Sequence, residues 1–299
     1  MESRADRRFR RLVTAFASAV ILLCAAVALQ LASGSRLAWA RFGPAFFWSS
    51  AWDPVAESFG ALPFVFGTLY SSAWALLIAV PLGVGSAVFL AELAPRRVSD
   101  ACAFLVELLA AVPSVVIGLM GIFVLVPWVR SIEPWLVRHL GWLPFFVGAP
   151  YGVGMLCAAL ILAVMVLPYI TSISREVLLS VPQDLKEAHL ALGATRWETV
   201  WEVSLPYGRA GILGGVFLAL GRALGETMAV TMVIGNTPKV SASLLEPGYS
   251  MAAVLANEFS EAVSDMHLNA LLAIALVLFL ITVAVNGLAR LMIRKGSPA

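Results

Sequence analysis

Apolar residues fall along this chain in six long runs separated by polar, charge-bearing segments. The runs cover residues 12–32, 64–91, 101–128, 151–173, 207–234 and 268–292. The first, about 21 residues at roughly 1.5 Å each, can cross the ~30 Å hydrocarbon core of a bilayer. It is too long for the core of a signal peptide and reads as a retained helix. Pro81, Pro113, Pro127 and Pro168 interrupt several runs, with glycines clustered near them. Membrane helices tolerate such breaks where they pack together or line a cavity. Gly211-x-x-x-Gly215 has the spacing of a close helix contact. The pattern predicts an all-α integral membrane protein with six transmembrane helices.

The connecting segments add orientation. Residues 33–63 form an expected loop whose Trp39, Trp48 and Trp52 suit an interfacial aromatic belt, and 130–150 adds Trp135 and Trp142. Residues 92–100 read as a short basic turn, and 235–267 as a polar loop carrying Glu246, Glu258, Glu261 and Asp265. Six spans place both termini on one side. That side carries Arg4, Arg7, Arg8, Arg10, Arg11, Arg96, Arg97, Arg175, Lys186, Arg196, Arg209, Arg290, Arg294 and Lys295. The other side has only Arg36, Arg41, Arg130, Arg138 and Lys239. The positive-inside rule therefore makes both termini cytoplasmic, together with segment 180–206.

Within that segment, KEAHLALGATRWETVWEVSLP at 186–206 reads as two short helices joined by a tight elbow. Pro182 suits the first helical position, and Asp184 and Glu187 favour the positive end of the helix dipole. Gly193 suits the left-handed residue that ends a helix. Thr195 with Glu198 three residues on is a capping box that starts the next helix, and Pro206 closes the unit. Trp197, Trp201 and Leu205 share one helical face, so an interfacial amphipathic helix without a partner is the plainer alternative.

Composition narrows the class. Of the 299 residues, 61% are hydrophobic and 13% charged, and the mean hydropathy is +0.91, which no ordinary soluble domain matches. A net charge of +2, without basic clusters interleaved with aromatics, argues against nucleic acid as a partner. Cys24, Cys102 and Cys157 are too widely spaced for a metal site and read as small buried apolar residues. The chain contains no GxxxxGK[ST], HExxH or G-x-S-x-G motif, and His139, His189 and His267 fall in different loops. No catalytic constellation is present, so the energy for any transport must come from a partner or a gradient.

Arg222 and Glu226 lie in GRALGETMAVTMVIGN (221–236), four residues apart and expected on one helical face near the middle of the fifth span. A charge at that depth costs about 2.5–3.5 kcal/mol, so ionisable residues there usually serve a pathway. Arginine offers a planar fork of donors suited to oxyanions, and Glu226 would partly neutralise it. A self-satisfied packing pair is the competing reading. Glu107, nearer a span edge, fits snorkelling or a structural hydrogen bond equally well.

Two sets of residues carry a family resemblance. Glu187-Ala188, Gly193 and Val203-x-Leu205-Pro206 resemble the EAA loop of ATP-binding-cassette importer permeases, with His189 where that family usually has a second alanine. GRALGETMAVTMVIGN and VPSVVIGLMGIFVLVP (112–127) resemble permease subunits of phosphate-specific importers, the Met228-Ala229-Val230 continuation favouring the PstC type over the PstA type. The likeness covers about 64–292. It implies the fold of a type I importer permease with a cytoplasmic helix–Gly–helix coupling elbow. Glu187, Ala188, Gly193, Thr195, Glu198, Leu205 and Pro206 would then couple to an ATPase, and Arg222 and Glu226 would serve phosphate passage.

The resemblance also implies cytoplasmic ATP-binding subunits that hold ATP and Mg, with no cofactor in this chain. A second permease subunit of the PstA type and an extracytoplasmic phosphate-binding protein would complete the assembly. The expected division is an N-terminal helix and outer loop (1–63), a permease core (64–293) and a short cytoplasmic tail (294–299). The alternatives are the same architecture for molybdate or sulfate, a gradient-driven anion transporter or channel, and a purely structural scaffold.

Overall fold

The computed structural model describes residues 4–296. Residues 1–3 of the expected N-terminal arm and 297–299 of the expected tail lie outside them, as do the side chains of 4, 5, 7 and 294–296. Helix α1 (Arg4–Gly34) leads into a short α2 (Arg36–Phe42), then α3 (Leu62–Val88). α4 (Arg96–Ala111), α5 (Ser114–Met120) and α6 (Val126–Leu140) follow, and α7 (Met155–Leu179) runs through the centre. After it come α8 (Gln183–Ala191), α9 (Arg196–Thr199), α10 (Leu205–Leu224), α11 (Met228–Val233), α12 (Met251–Glu258) and α13 (Asp265–Gly296). Among the described residues, six helical stretches are long and apolar enough to cross a membrane, the expected number: Arg8–Gly34, Leu62–Leu93, Ser114–Leu140, Met155–Leu179, Arg196–Leu224 and Asp265–Ile293.

The bundle closes around α7, which is buried over 61% of its apolar window, whereas α1 has none of its window buried. The reason is written into the neighbours of α7. Gly67, Ser71, Ala75, Ala79, Gly83 and Ala87 recur at every fourth position of α3, and all are buried. Small residues in such a row let two helix backbones approach closely. A Cβ added at Gly83 would meet Ile170 Cγ2 of α7 at 2.8 Å. On the opposite flank, Gly211 and Gly215 of α10 do the same, their missing side chains leaving room for Val177 and Ile173. The Gly211-x-x-x-Gly215 contact expected from sequence is therefore made with α7.

Prolines have opposite effects at different places. At Pro113 the chain breaks: Val112 and Pro113 are extended, at ψ 128° and 138°, as a residue before proline prefers. The third span therefore is not 101–128. It begins after the break and continues to Leu140, taking Arg130 and Glu133 into α6, while α4 is a separate helix on which Glu107 is exposed. Pro81, by contrast, sits inside an unbroken α3. Pro127 and Pro206 each follow a π-turn, Gly121–Leu125 and Val200–Ser204. In those turns Val126 and Leu205 donate to carbonyls five residues back, at Gly121 and Val200. The wider turn relieves the clash between a proline ring and the carbonyl four residues before it, and the helix goes on. Pro206 thus does not close the elbow.

The supposed loops are packed. Residues 33–63 contain α2 and a two-residue antiparallel pairing of β1 (Trp52–Asp53) with β2 (Ser58–Phe59). Trp52 turns inward rather than toward a membrane surface: its Nε1–H donates to Glu258 Oε2 at 2.9 Å, and its ring meets Phe59 and Phe64 edge-on. Segment 235–267 re-enters the bundle, burying Leu244, Leu245, Tyr249 and Met251. Its carbonyls cap the first turn of α7, where the N–H groups of Met155 and Leu156 donate to Glu246 O and Leu244 O. Of the three cysteines, only Cys157 is buried; Cys24 is exposed on α1.

Gly83 and Gly85 separate packing from helix propensity, because a Cβ at Gly85 meets nothing within 4 Å. Gly83→Leu is expected to destabilise the protein by at least about 1–3 kcal/mol through overpacking. Gly85→Leu should be neutral or gain up to about 1 kcal/mol, since glycine disfavours helix. Thermal unfolding in detergent distinguishes them; equal melting temperatures would remove the α3–α7 seam as the organising contact.

Candidate functional site

The elbow forms from local capping. Pro182, extended at ψ 131°, precedes the first helical residue of α8, one position earlier than the sequence suggests. Gly193 follows the end of α8 at φ +93°, in the left-handed region. The capping box is complete: Thr195 N–H donates to Glu198 Oε2 at 2.6 Å, and Glu198 N–H donates to Thr195 Oγ1 at 3.3 Å. From Arg196 the chain continues through α9 and the π-turn into α10 without interruption, so Leu205 and Pro206 form the first turn of α10, inside the span Arg196–Leu224, rather than part of the elbow.

α8 stands away from the bundle. Lys186 is its single buried residue, while Glu187, Ala188, Leu185, Leu190 and the following Leu192 are exposed. Leu192 is 87% exposed, an unpartnered apolar side chain beside the glycine turn. His189 is half-buried and pins the elbow internally, with Nδ1 3.1 Å from Thr199 Oγ1 and Nε2 3.2 Å from Glu202 Oε2. Trp197, Trp201 and Leu205 do share a face. They line an apolar groove of about 450 Å³ against Pro81, Val84 and Phe89 at the end of α3.

The second cluster differs from the sequence expectation. α10 ends at Leu224, so Arg222 lies in its last turn and Glu226 lies in the break before α11. The two do not share a helical face, and among the described residues no ion pair joins them. Glu226, 8% exposed, instead accepts a hydrogen bond from Ala229 N–H at 3.4 Å in the first turn of α11. The Arg222 guanidinium lies 4.9 Å from the ring centroid of Tyr169 on α7, and its Nε is buried without a hydrogen-bond partner. A cation over an aromatic face is attracted by the ring quadrupole while its N–H donors stay free. Tyr169 escaped the sequence reading; its only signal was a tyrosine beside Pro168 in an apolar run.

Two cavities open in this part of the chain, of which only the smaller borders the break. One of about 510 Å³ opens beside the break, lined by Gly225, Thr227, Leu255, Phe259 and Leu278. The other, about 750 Å³, lies at the end of the bundle opposite α8 and is lined by Trp52, Asn236, Tyr249, Asn257, Glu258 and Glu261. Burial pushes the Tyr249 phenol up to about 12, so it serves there as a neutral hydroxyl, accepting from Asn257 Nδ2 at 3.0 Å. Among the described residues no group of His, Cys, Asp and Glu is placed to hold a metal ion.

Residues 79–296 match the family described as binding-protein-dependent transport system inner membrane component. A protein of Mesorhizobium japonicum named "Phosphate transport system permease protein PstC" is 46% identical over 295 residues, covering 97% of this chain and 90% of its own length. A protein of the same name from Xylella fastidiosa is 47% identical, covering 99% and 93% respectively. Among solved structures, an inward-facing conformation of the MetNI methionine ABC transporter superposes with a TM-score of 0.54 at 18% identity, covering 80% of this chain and 95% of that one. That likeness is one of fold, the type I importer permease.

Because a Cβ at Gly193 meets no neighbour within 4 Å, substitution there acts through backbone conformation alone. Gly193→Val should cost about 1–2 kcal/mol, and Gly193→Asn clearly less, since asparagine visits the left-handed region more readily. Thermal unfolding with limited proteolysis at the elbow reads the difference. Equal behaviour of the two variants would contradict the left-handed turn.

Proposed function

The chain belongs to the binding-protein-dependent transport system inner membrane component family, and we propose that it is a membrane subunit of an ATP-driven importer carrying inorganic phosphate. The observation that carries the phosphate reading is Arg222. It is a permanent cation at the end of a bilayer-length helix, held by an aromatic face rather than by a carboxylate, with its Nε unpaired. Such a group attracts a phosphate and can release it again, because no second charge locks the anion in place. Glu226, engaged with the first turn of α11 rather than with Arg222, sets the backbone at the break and adds a negative charge that keeps anion residence short.

The transport cycle follows from the parts. An extracytoplasmic phosphate-binding protein releases its anion at the end of the bundle opposite α8. Cytoplasmic ATP-binding subunits, which hold the ATP and Mg that this chain has no motif to bind, grip the exposed face of α8 through Glu187, Ala188 and the turn at Gly193. Thr195 and Glu198 keep that turn rigid while Leu205 and Pro206 lead its motion into α10. A second permease subunit of the PstA type covers the open cavity beside the α10–α11 break, so each chain supplies half of the pathway. Both termini and the elbow face the cytoplasm, as the arginine distribution supports. The lipid bilayer is a further partner.

Uptake of radiolabelled phosphate at micromolar concentration, in cells lacking this gene, tests the reading. Wild type should restore uptake, and the uptake should stop when ATP is depleted with the proton gradient maintained. Arg222→Gln, at equal membrane abundance, should lower the initial rate at least about tenfold, the equivalent of about 1.4 kcal/mol. Tyr169→Phe, which keeps the ring face, should stay within about twofold of wild type. Normal uptake by Arg222→Gln would reduce that residue to packing. Restoration of molybdate or sulfate uptake in place of phosphate would replace the substrate while keeping the architecture.

A further inference from the structure

Helix α8 touches the bundle through very little. Apart from the internal clamp of His189 on Thr199 and Glu202, its one buried side chain is Lys186, 6% exposed. The Lys186 ammonium lies 2.7 Å from Glu92 Oε1, in an ion pair whose side chains are only 8% and 13% exposed. Glu92 belongs to the π-turn Phe89–Leu93 that terminates α3, ninety-four positions away in sequence. The same ammonium lies 3.4 Å from Leu178 O in the last turn of α7. One cation therefore sits between the carbonyl ends of two helices, where both macrodipoles favour positive charge. Those helices are the two sides of the small-residue seam at the centre of the bundle.

The other link at this end is apolar: Val200, just past the elbow, packs with Ala87 and Val88 of α3 and Leu178 of α7. On the flank of α3 that faces α9 and α10, the last turns border the open apolar groove of about 450 Å³, which leaves part of that end unpacked. Arg175, near the end of α7, donates to Ser99 Oγ at 3.0 Å and ties α7 to α4 rather than to α8. Displacement of α8 therefore reaches α3 and α7 directly through the pair, and around the elbow through the apolar packing of Val200.

Resting on the importer reading above, we propose that Lys186 and Glu92 are positioning residues for energy coupling: the buried pair is the strut by which motion imposed on α8 shifts α3 and α7 together. Neither residue touches the anion. Their removal should leave the ATPase bound and working while its work no longer reaches the pathway.

The test uses the complete importer in proteoliposomes, with both permease subunits, the ATP-binding subunits and phosphate-loaded binding protein. ATP hydrolysis and phosphate uptake are measured in the same vesicles, with retention of the ATP-binding subunits on the purified complex. Glu92→Ala and Lys186→Met should each raise the ATP hydrolysed per phosphate imported by on the order of tenfold, with those subunits retained. The reversed pair, Glu92→Lys with Lys186→Glu, should return the ratio to within about threefold of wild type. Glu92→Gln keeps the shape and an acceptor oxygen and should fall between wild type and Glu92→Ala. Should the alanine and methionine variants fail to assemble, Glu92→Gln decides: a raised ratio supports the strut, and a wild-type ratio overturns it. An unchanged ratio in assembled single variants, or a reversed pair no better than the singles, also overturns it. Failure of the importer reading looks different, because wild type itself would then show no ATP-dependent phosphate uptake.

Discussion

The whole bundle hangs on how closely α7 can be approached from two sides. In a bilayer there is no hydrophobic drive to bring apolar helices together, so contact must come from van der Waals packing between surfaces that fit. The four-residue repeat of Gly, Ser and Ala on α3 supplies one such surface, and the glycines of α10 supply the other. With α7 held between them, its first turn is fixed by the re-entrant segment after α11 and its last turn by the elbow. The location of Tyr169, and through it of the Arg222 guanidinium, follows from that clamping.

The number of spans was legible in the sequence because lipid imposes it: a run too short or too charged cannot cross. Their limits were less legible, and the prolines show why. Pro113, Pro127 and Pro206 look alike in a list of residues, yet the first ends a helix and the other two do not. What differs is a π-turn, which no hydrophobic periodicity announces. The segment after α11 misled for a related reason. Its glutamates suggested solvent, but its apolar residues come in pairs and short stretches, such as Leu244-Leu245, which bury themselves against helix ends without making a run.

The elbow could be read almost residue by residue, since capping boxes and glycine turns depend on neighbours three or four positions away. Arg222 and Glu226 could be read only as far as the helix carrying them was assumed to continue. Once α10 stops at Leu224, their spacing of four ceases to mean a shared face. The groups that in fact surround them, or that anchor the elbow, come from other helices: Tyr169 from α7 and Glu92 from the end of α3. Contacts across that sequence distance leave no local pattern, so a single sequence names the actors without naming their partners.

The two ends of α7 are secured by different kinds of bond. At Met155 and Leu156 the partners are main-chain carbonyls, which every amino acid carries. Near Leu178 the partner is the ammonium of one lysine, which a single nucleotide change can delete. Genetic drift should therefore be tolerated at the first end wherever backbone shape and apolar burial survive, and punished at the second wherever charge is lost. In a library of random variants screened for transport, Leu244 and Leu245 would accept other apolar side chains of similar size, whereas at Lys186 any replacement that removes the charge would be harmful.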